Sequence, residues 1–130
     1  MYRSSPTERT SPWRRRVIGA QAFYYAVTGL WPVIHMASFE AVTGPKVDDW
    51  LVKMVGLLAA AIGLSLGTAV FRGETRSVAV GALALTSAMA FAAIDLWYGL
   101  SGRISPIYFA DAAVEIGIIG ALASLPRSGL

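Results

Sequence analysis

Four ionisable residues lie inside segments of this chain that are too apolar to be solvated by water. They are His35, Asp95, Asp111 and Glu115, and each belongs to a hydrophobic run long enough to cross a bilayer. Charge is costly in hydrocarbon, so such residues usually face the interior of a helix bundle or a water-filled cavity and mark a functional site. Carboxylates and an imidazole at such a site would bind a cation or transfer a proton.

The composition of the chain is typical of an integral membrane protein. Apolar residues make up 55% of the 130 residues and charged residues 15%, against about 25% charged in soluble domains. The absence of cysteine excludes disulfides and zinc–thiolate sites. Basic and aromatic residues are not interleaved as they are on surfaces that stack bases, so no nucleic-acid partner is expected.

Four apolar runs, separated by short polar connectors, predict the elements that must position the ionisable residues. The predicted helices cover residues 17–39, 51–71, 78–100 and 107–125, each near the roughly 20 residues that a membrane-spanning helix needs. Short connectors make neighbouring helices antiparallel. We therefore expect an all-α fold, an up-down-up-down four-helix bundle in the membrane over residues 14–130. The polar residues 1–13 are predicted to be a disordered tail.

The distribution of lysine and arginine predicts the orientation of these helices. Eight basic residues lie in the tails and the second connector, which share one side of the predicted bundle, and three lie on the other side. The eight are Arg3, Arg9, Arg14, Arg15, Arg16, Arg72, Arg76 and Arg127, and the three are Lys46, Lys53 and Arg103. The positive-inside rule then places both termini in the cytoplasm.

The ionisable residues share a similar predicted depth in the membrane. With a helical rise of about 1.5 Å per residue, His35, Asp95 and Asp111 lie roughly 6–7 Å below the outer helix ends, and Glu115 lies one turn deeper. Glu40 lies just above them. We expect a pocket that is open to the outside and closed toward the cytoplasm, with aromatic residues as apolar or cation–π walls. The predicted ligand-binding residues are His35, Glu40, Asp95, Asp111, Glu115, Trp31, Trp97 and Tyr108.

Helical spacing predicts the faces on which the helices pack. The first helix has a polar stripe that includes Gln21, Tyr25 and His35, and the second has a small-residue seam from Gly56 to Gly67. Small residues let helix backbones approach closely, so internal packing is the expected role of that seam. A further seam on the fourth helix, which includes Gly117 and Gly120, leaves room for a homodimer without requiring one.

Two segments resemble a known group of proteins. The stretch from Ser38 through Lys46 to Asp49-Trp50-Leu51-Val52, and the stretch from Gly102 to Tyr108 with Asp111 and Glu115, are similar to small, uncharacterised bacterial four-helix membrane proteins. The resemblance implies a multi-pass protein of the bacterial cytoplasmic (inner) membrane and brings no activity with it. The architecture alone also resembles the sterol-isomerase-like (EXPERA) and DoxX-like four-helix membrane folds, from which no residue role is carried over.

Three functions remain open at this point. The favoured one is binding or transport of a small cationic or amphipathic ligand in the acidic pocket. An enzyme that acts on a lipid by acid/base chemistry with His35, and a structural or assembly subunit of a membrane complex, are the alternatives.

Carboxylates with one histidine could bind manganese or iron, but the spacing lacks an ExxH pair. We therefore expect no metal and no other cofactor; membrane lipids are the expected surroundings.

Overall fold

The computed structural model describes residues 12–46, 48–102, 104 and 106–124. Over these residues the chain is entirely helical, with five α-helices and no β-strand. The helices are α1 (Pro12–Ile34), α2 (Met36–Thr43), α3 (Asp49–Arg72), α4 (Val78–Leu100) and α5 (Tyr108–Ala123). The predicted all-α class is confirmed for this part of the chain.

Three of the helices could cross a membrane. By length and apolar composition these are α1, α3 and α4, as expected of a membrane protein. Helix α5 has 16 residues, and at about 1.5 Å per residue it is shorter than a typical hydrocarbon core of about 30 Å. Leu125, the last residue of the predicted fourth helix, lies outside the described residues.

Three of the predicted helices have bounds within two residues of those in the structure, and the first predicted helix differs. Helix α4 begins and ends at the predicted residues, while the bounds of α3 and α5 differ by one or two residues among those described. The predicted first helix over residues 17–39 is wrong, because it is two helices that meet at His35. Of the predicted tail, residues 1–11 lie outside the described residues, while Pro12 and Trp13 belong to the first turn of α1.

The break between α1 and α2 has a local cause. Pro32 has no N–H to donate within α1, and three residues later His35 takes a non-helical conformation with φ −148° and ψ 83°. Its Nδ1 accepts a hydrogen bond from the backbone N–H of Ser38 at 3.2 Å. His35 is therefore the N-cap of α2, a position at which a side-chain acceptor satisfies a free backbone donor.

Helices α1 and α3 approach each other closely through glycines. A Cβ atom added at Gly29 or at Gly56 would collide with the carbonyl oxygen of the other residue, and one added at Gly63 would lie 2.7 Å from the carbonyl oxygen of Ala22. Such contacts are the usual means by which helices associate in lipid. The seam predicted from Gly56 to Gly67 thus packs inside the molecule, against α1.

At the end of the molecule where α3 is connected to α4, the helices close around a small core. This core cluster consists of Ile18, Ala22, Leu66 and Ala84, all buried. The Gln21 side chain adds a link, because its Nε2 donates to the carbonyl oxygen of Ala84 at 2.8 Å. Arg14 Nε donates to the carbonyl oxygen of Thr75 at 2.5 Å. This end therefore holds α1, α3 and α4 together.

Candidate functional site

A cavity of about 500 Å³ lies at the end of the molecule away from the core cluster. All five helices contribute to its walls, and most of the lining side chains are apolar. The three predicted acids Asp95, Asp111 and Glu115 line it together, although α4 provides the first and α5 the other two. Its aromatic lining residues are Tyr24, Tyr25, Trp31, Phe39, Phe91 and Tyr108.

Two tyrosines of α1 hold the two acids of α5. The Tyr24 hydroxyl donates to Oδ1 of Asp111, and the Tyr25 hydroxyl donates to Oε1 of Glu115 at 2.6 Å. Asp111 and Glu115 are four residues apart and so share one face of α5. Tyr25 and Glu115 are each 1% exposed, so this second pair lies on the protein interior side of the cavity and fastens α5 to α1.

Asp95 differs from the other two acids because one of its oxygens has no partner. The residue is 5% exposed, and its Oδ2 accepts no hydrogen bond from any described residue. Its carboxyl group shares a hydrogen bond with Asp111 and interacts electrostatically with Asp111 and Glu115. A buried polar group without a partner is rare, because it loses water without replacing it. Asp95 therefore brings an unsatisfied carboxyl oxygen to the wall of the cavity.

Helix α2 and Lys46 cover one end of the cavity. Trp31 of α1 donates from Nε1 to Oγ of Ser38 at 2.8 Å, and its ring meets that of Phe39 at 5.4 Å between centroids. The Lys46 ammonium donates to the carbonyl oxygens of Thr43 and Gly44, at 3.1 and 2.9 Å.

The same ammonium also connects this cover to α5. It lies 5.7 Å from the ring centroid of Phe39 and 5.2 Å from that of Tyr108, within cation–π range. Helix α2 and Lys46 thus extend from α1 to α5 across this end of the cavity. We call this unit the α2 cover.

Three of the predicted site residues do not line the cavity. His35 is exposed, and its ring interacts with Ser38. The carboxylate of Glu40 accepts from the backbone N–H of Lys46 at 3.4 Å, and Trp97 is 72% exposed. Trp97 follows Asp95 by two residues, which places it about 200° around the helix. The remaining predicted residues, Trp31, Asp95, Asp111, Glu115 and Tyr108, all line the cavity.

Sequence reasoning did not predict four of the cavity residues that matter here: Tyr24, Tyr25, Phe91 and Lys46. Phe91 meets the ring of Tyr25 edge-on, at 5.2 Å between centroids. A signal for the tyrosines did exist, because a buried acid in a membrane segment needs a donor from a neighbouring helix and Tyr25 lies on the polar stripe of the first helix. Lys46 carries no comparable signal, since its position depends on the turn after α2.

Among the described residues, no group of three or more His, Asp or Glu side chains is arranged as a metal site. The sequence matches no family model, and comparisons with curated proteins and with solved structures found no match. The resemblance to small bacterial four-helix membrane proteins therefore stays a prediction. What the site can do must be argued from its own geometry.

Proposed function

We propose that this protein binds a small cationic or amphipathic ligand in the cavity between its helices, with Asp95 as the residue that meets the positive charge. The observation that carries the proposal is that Asp95 lines the cavity and that its buried Oδ2 has no partner among the described residues. A cation with an apolar body would satisfy this oxygen and also fill the apolar remainder of the space.

The different surroundings of the three acids support a cation at Asp95 in particular. Asp111 and Glu115 already accept from Tyr24 and Tyr25, so these two have a structural use without any ligand. Aromatic rings around the cavity add favourable contacts for a cation, because the face of an aromatic ring attracts positive charge.

We further propose that the chain is a four-span bundle, with α5 as the fourth span beside α1, α3 and α4. Helix α5 is apolar and packs mainly against α4, which suits the second half of a membrane hairpin. The lysine and arginine distribution supports a cytoplasmic location for the core-cluster end and an outward-facing cavity. The bacterial inner membrane is the location that the resemblance implies.

The closed core-cluster end favours binding over passage through the molecule. Ile18, Leu66 and Ala84 are fully buried there, and the hydrogen bonds of Gln21 and Arg14 join the helices around them. The enzyme alternative relied on His35 as a proton-transfer partner, and His35 does not line the cavity. The geometry therefore supports a binding protein better than a lipid-converting enzyme.

Membrane lipids are the proposed surroundings of the bundle, and a second copy of the chain remains a proposed neighbour. On α5, Cβ atoms added at Gly117 and Gly120 would meet no described atom within 4 Å. These two glycines thus leave a smooth surface on which another helix could pack. A mass measurement of the protein in mild detergent would report whether it is a monomer or a dimer.

The test compares two probes of nearly the same shape and opposite charge, tetraphenylphosphonium and tetraphenylborate. We expect the cation, and not the anion, to raise the thermal unfolding temperature of the purified protein in one fixed detergent. The variant Asp95→Asn should bind the cation about tenfold more weakly, equivalent to about 1.4 kcal/mol. Glu40→Gln, which removes an acid outside the cavity, is the matched control and should bind like the wild type.

Two outcomes would overturn the proposal. One is equal stabilisation by the cation and the anion, which would indicate nonspecific partitioning onto the apolar surface. The other is unchanged binding of tetraphenylphosphonium to Asp95→Asn, which would show that this acid does not meet the cation.

A further inference from the structure

The walls of the cavity differ in how exposed their side chains are. The lining residues from α1, such as Tyr25, Gly29 and Pro32, are buried or half-buried. Well-exposed apolar lining residues lie on the other helices, or in the case of Ile107 directly before α5, instead. These residues, each between 40% and 55% exposed, are Val42, Leu51, Val55, Ile94, Ile107 and Val114. Helix α1 thus forms a closed back wall, and the cavity is accessible from the side opposite to it.

That side lies between α3 and the α4–α5 pair. Helix α3 packs mainly against α1 and helix α4 mainly against α5. The core cluster brings Leu66 of α3 together with Ala84 of α4 near their connector. At the other end the cavity separates the two helices, with Val55 on one side and Ile94 on the other. We call this opening the lateral gap.

The surroundings of the lateral gap are apolar, in contrast to those of the α2 cover. Val55 is 49% exposed and Ile94 is 55% exposed, and both lie within helices that could cross a membrane. Exposed apolar side chains at such positions face lipid tails. The end toward water is occupied by the α2 cover, in which the Lys46 ammonium lies over the Tyr108 ring.

We propose that the ligand is a membrane-borne amphiphile with a cationic head and an alkyl chain, which reaches the cavity sideways from the bilayer through the lateral gap. This inference rests on the proposed function, because the head is the cation that Asp95 binds. The chain remains in the gap, against Val55, Ile94 and Val114, while the head lies deeper among the acids. Apolar surface at the opening and the unpartnered oxygen of Asp95 inside match the two parts of such a molecule.

A photoreactive probe tests this route in lipid nanodiscs. The probe is a long-chain alkyltrimethylammonium with a diazirine in the middle of its chain, and its adducts are mapped by mass spectrometry. We expect adducts on the segments of α3 and α4 that contain Val55 and Ile94. The double variant Val55→Trp/Ile94→Trp, which fills the gap with bulky rings, should lose most of this labelling.

The matched control is Leu58→Trp/Met89→Trp. Both residues are exposed on the same two helices, at 59% and 52%, and neither lines the cavity. This control should be labelled like the wild type. Equal labelling of both double variants, or adducts spread over all lipid-facing segments, would overturn the lateral gap as the route.

A second measurement does not depend on the folding of the tryptophan variants. Because the chain has no cysteine, single cysteines at 55 and 94 can each carry a nitroxide in an otherwise unchanged protein. We expect molecular oxygen, which concentrates in lipid, to relax both labels more than a water-soluble nickel chelate does. A dominant effect of the nickel chelate would show that the gap faces water, which contradicts the proposal.

The two proposals can fail separately. If tetraphenylphosphonium binds to the wild type and binding depends on Asp95, but the photoreactive probe does not label the lateral gap, the cation site stands and the route is wrong. If tetraphenylphosphonium binding does not depend on Asp95, the cation site itself is wrong, whatever the labelling pattern.

Discussion

The Tyr25 hydroxyl donates a hydrogen bond of 2.6 Å to Oε1 of Glu115, and both residues are almost completely buried. The two lie 90 positions apart in the sequence, and their contact joins α1 to α5. Since α5 packs mainly against α4, this bond also helps to hold the α4–α5 pair against the rest of the molecule. Glu115 therefore has a structural role as the partner of Tyr25, whereas no such role accounts for Asp95.

Removal of the Tyr25 hydroxyl should destabilise the fold. We expect Tyr25→Phe to lower the free energy of unfolding by about 1 kcal/mol, because it leaves the buried Glu115 without its donor. Unfolding by SDS in mixed micelles measures this change. Thr68→Val is the control, since the exposed Thr68 hydroxyl donates to the carbonyl oxygen of Leu64 in its own helix. An effect of Tyr25→Phe no larger than that of the control would contradict a fastening role for the pair.

The two buried acids should respond differently to loss of charge. Glu115→Gln retains a side-chain oxygen that can accept from Tyr25. The variant should therefore have near-wild-type stability and bind tetraphenylphosphonium with little loss of affinity. Asp95→Asn should instead lose binding, as argued above. Comparison of the two variants by equilibrium dialysis checks the division of roles. If Glu115→Gln loses as much affinity as Asp95→Asn, the two acids act as one binding unit.

The close contact between α1 and α3 should not tolerate a larger residue. A Cβ atom at Gly56 would collide with the carbonyl oxygen of Gly29, so Gly56→Ala should cost about 1–3 kcal/mol of stability through overpacking. Gly67→Ala on the same helix is the matched control, because its added Cβ would have only an ordinary contact of 3.8 Å with Ala22. In detergent, Gly56→Ala should have a clearly lower thermal unfolding temperature than the control. Equal unfolding temperatures would argue against the close approach of the two helices.

Replacement of His35 should affect α2 and leave the cation site intact. We expect His35→Ala to weaken the start of α2 by about 0.5–2 kcal/mol, the usual effect of losing an N-cap. His35→Asn, which retains a capping side chain, should restore most of this stability. Neither variant should change the affinity for tetraphenylphosphonium, measured by dialysis. A large loss of affinity in both variants would show that His35 takes part in binding, which contradicts this assignment.

Helix positions could be predicted where local signals mark both ends. Helix α4 begins after Ser77, whose Oγ accepts from the backbone N–H of Val80, and it ends at a turn that contains Gly102, with φ 77°. Its predicted bounds are those found. The break at His35 also has local signals, Pro32 and the cap itself, but the apolar pattern continues through them and concealed the break.

The depth of the site residues along the helices could be predicted from the sequence, but the direction in which each side chain faces could not. The sequence places Asp95 and Asp111 at similar heights, and the structure has both at one cavity. Which side chains at that height face inward depends on how each helix is turned by its neighbours. Trp97 illustrates this, since it lies near Asp95 in sequence and yet is exposed. The same packing determines that Tyr24 and Tyr25 meet the acids of α5; the polar stripe of the first helix marks Tyr25 but does not reveal its partner.

The most direct test of the cation site is a crystal structure of the protein with tetraphenylarsonium, which has the shape of tetraphenylphosphonium and a central atom that scatters anomalously. We predict one strong arsenic peak inside the cavity, closer to the Asp95 carboxylate than to the Lys46 ammonium, and its loss in crystals of Asp95→Asn. An arsenic peak on the outer surface of the helices, or a cavity peak that persists in Asp95→Asn, would contradict the account.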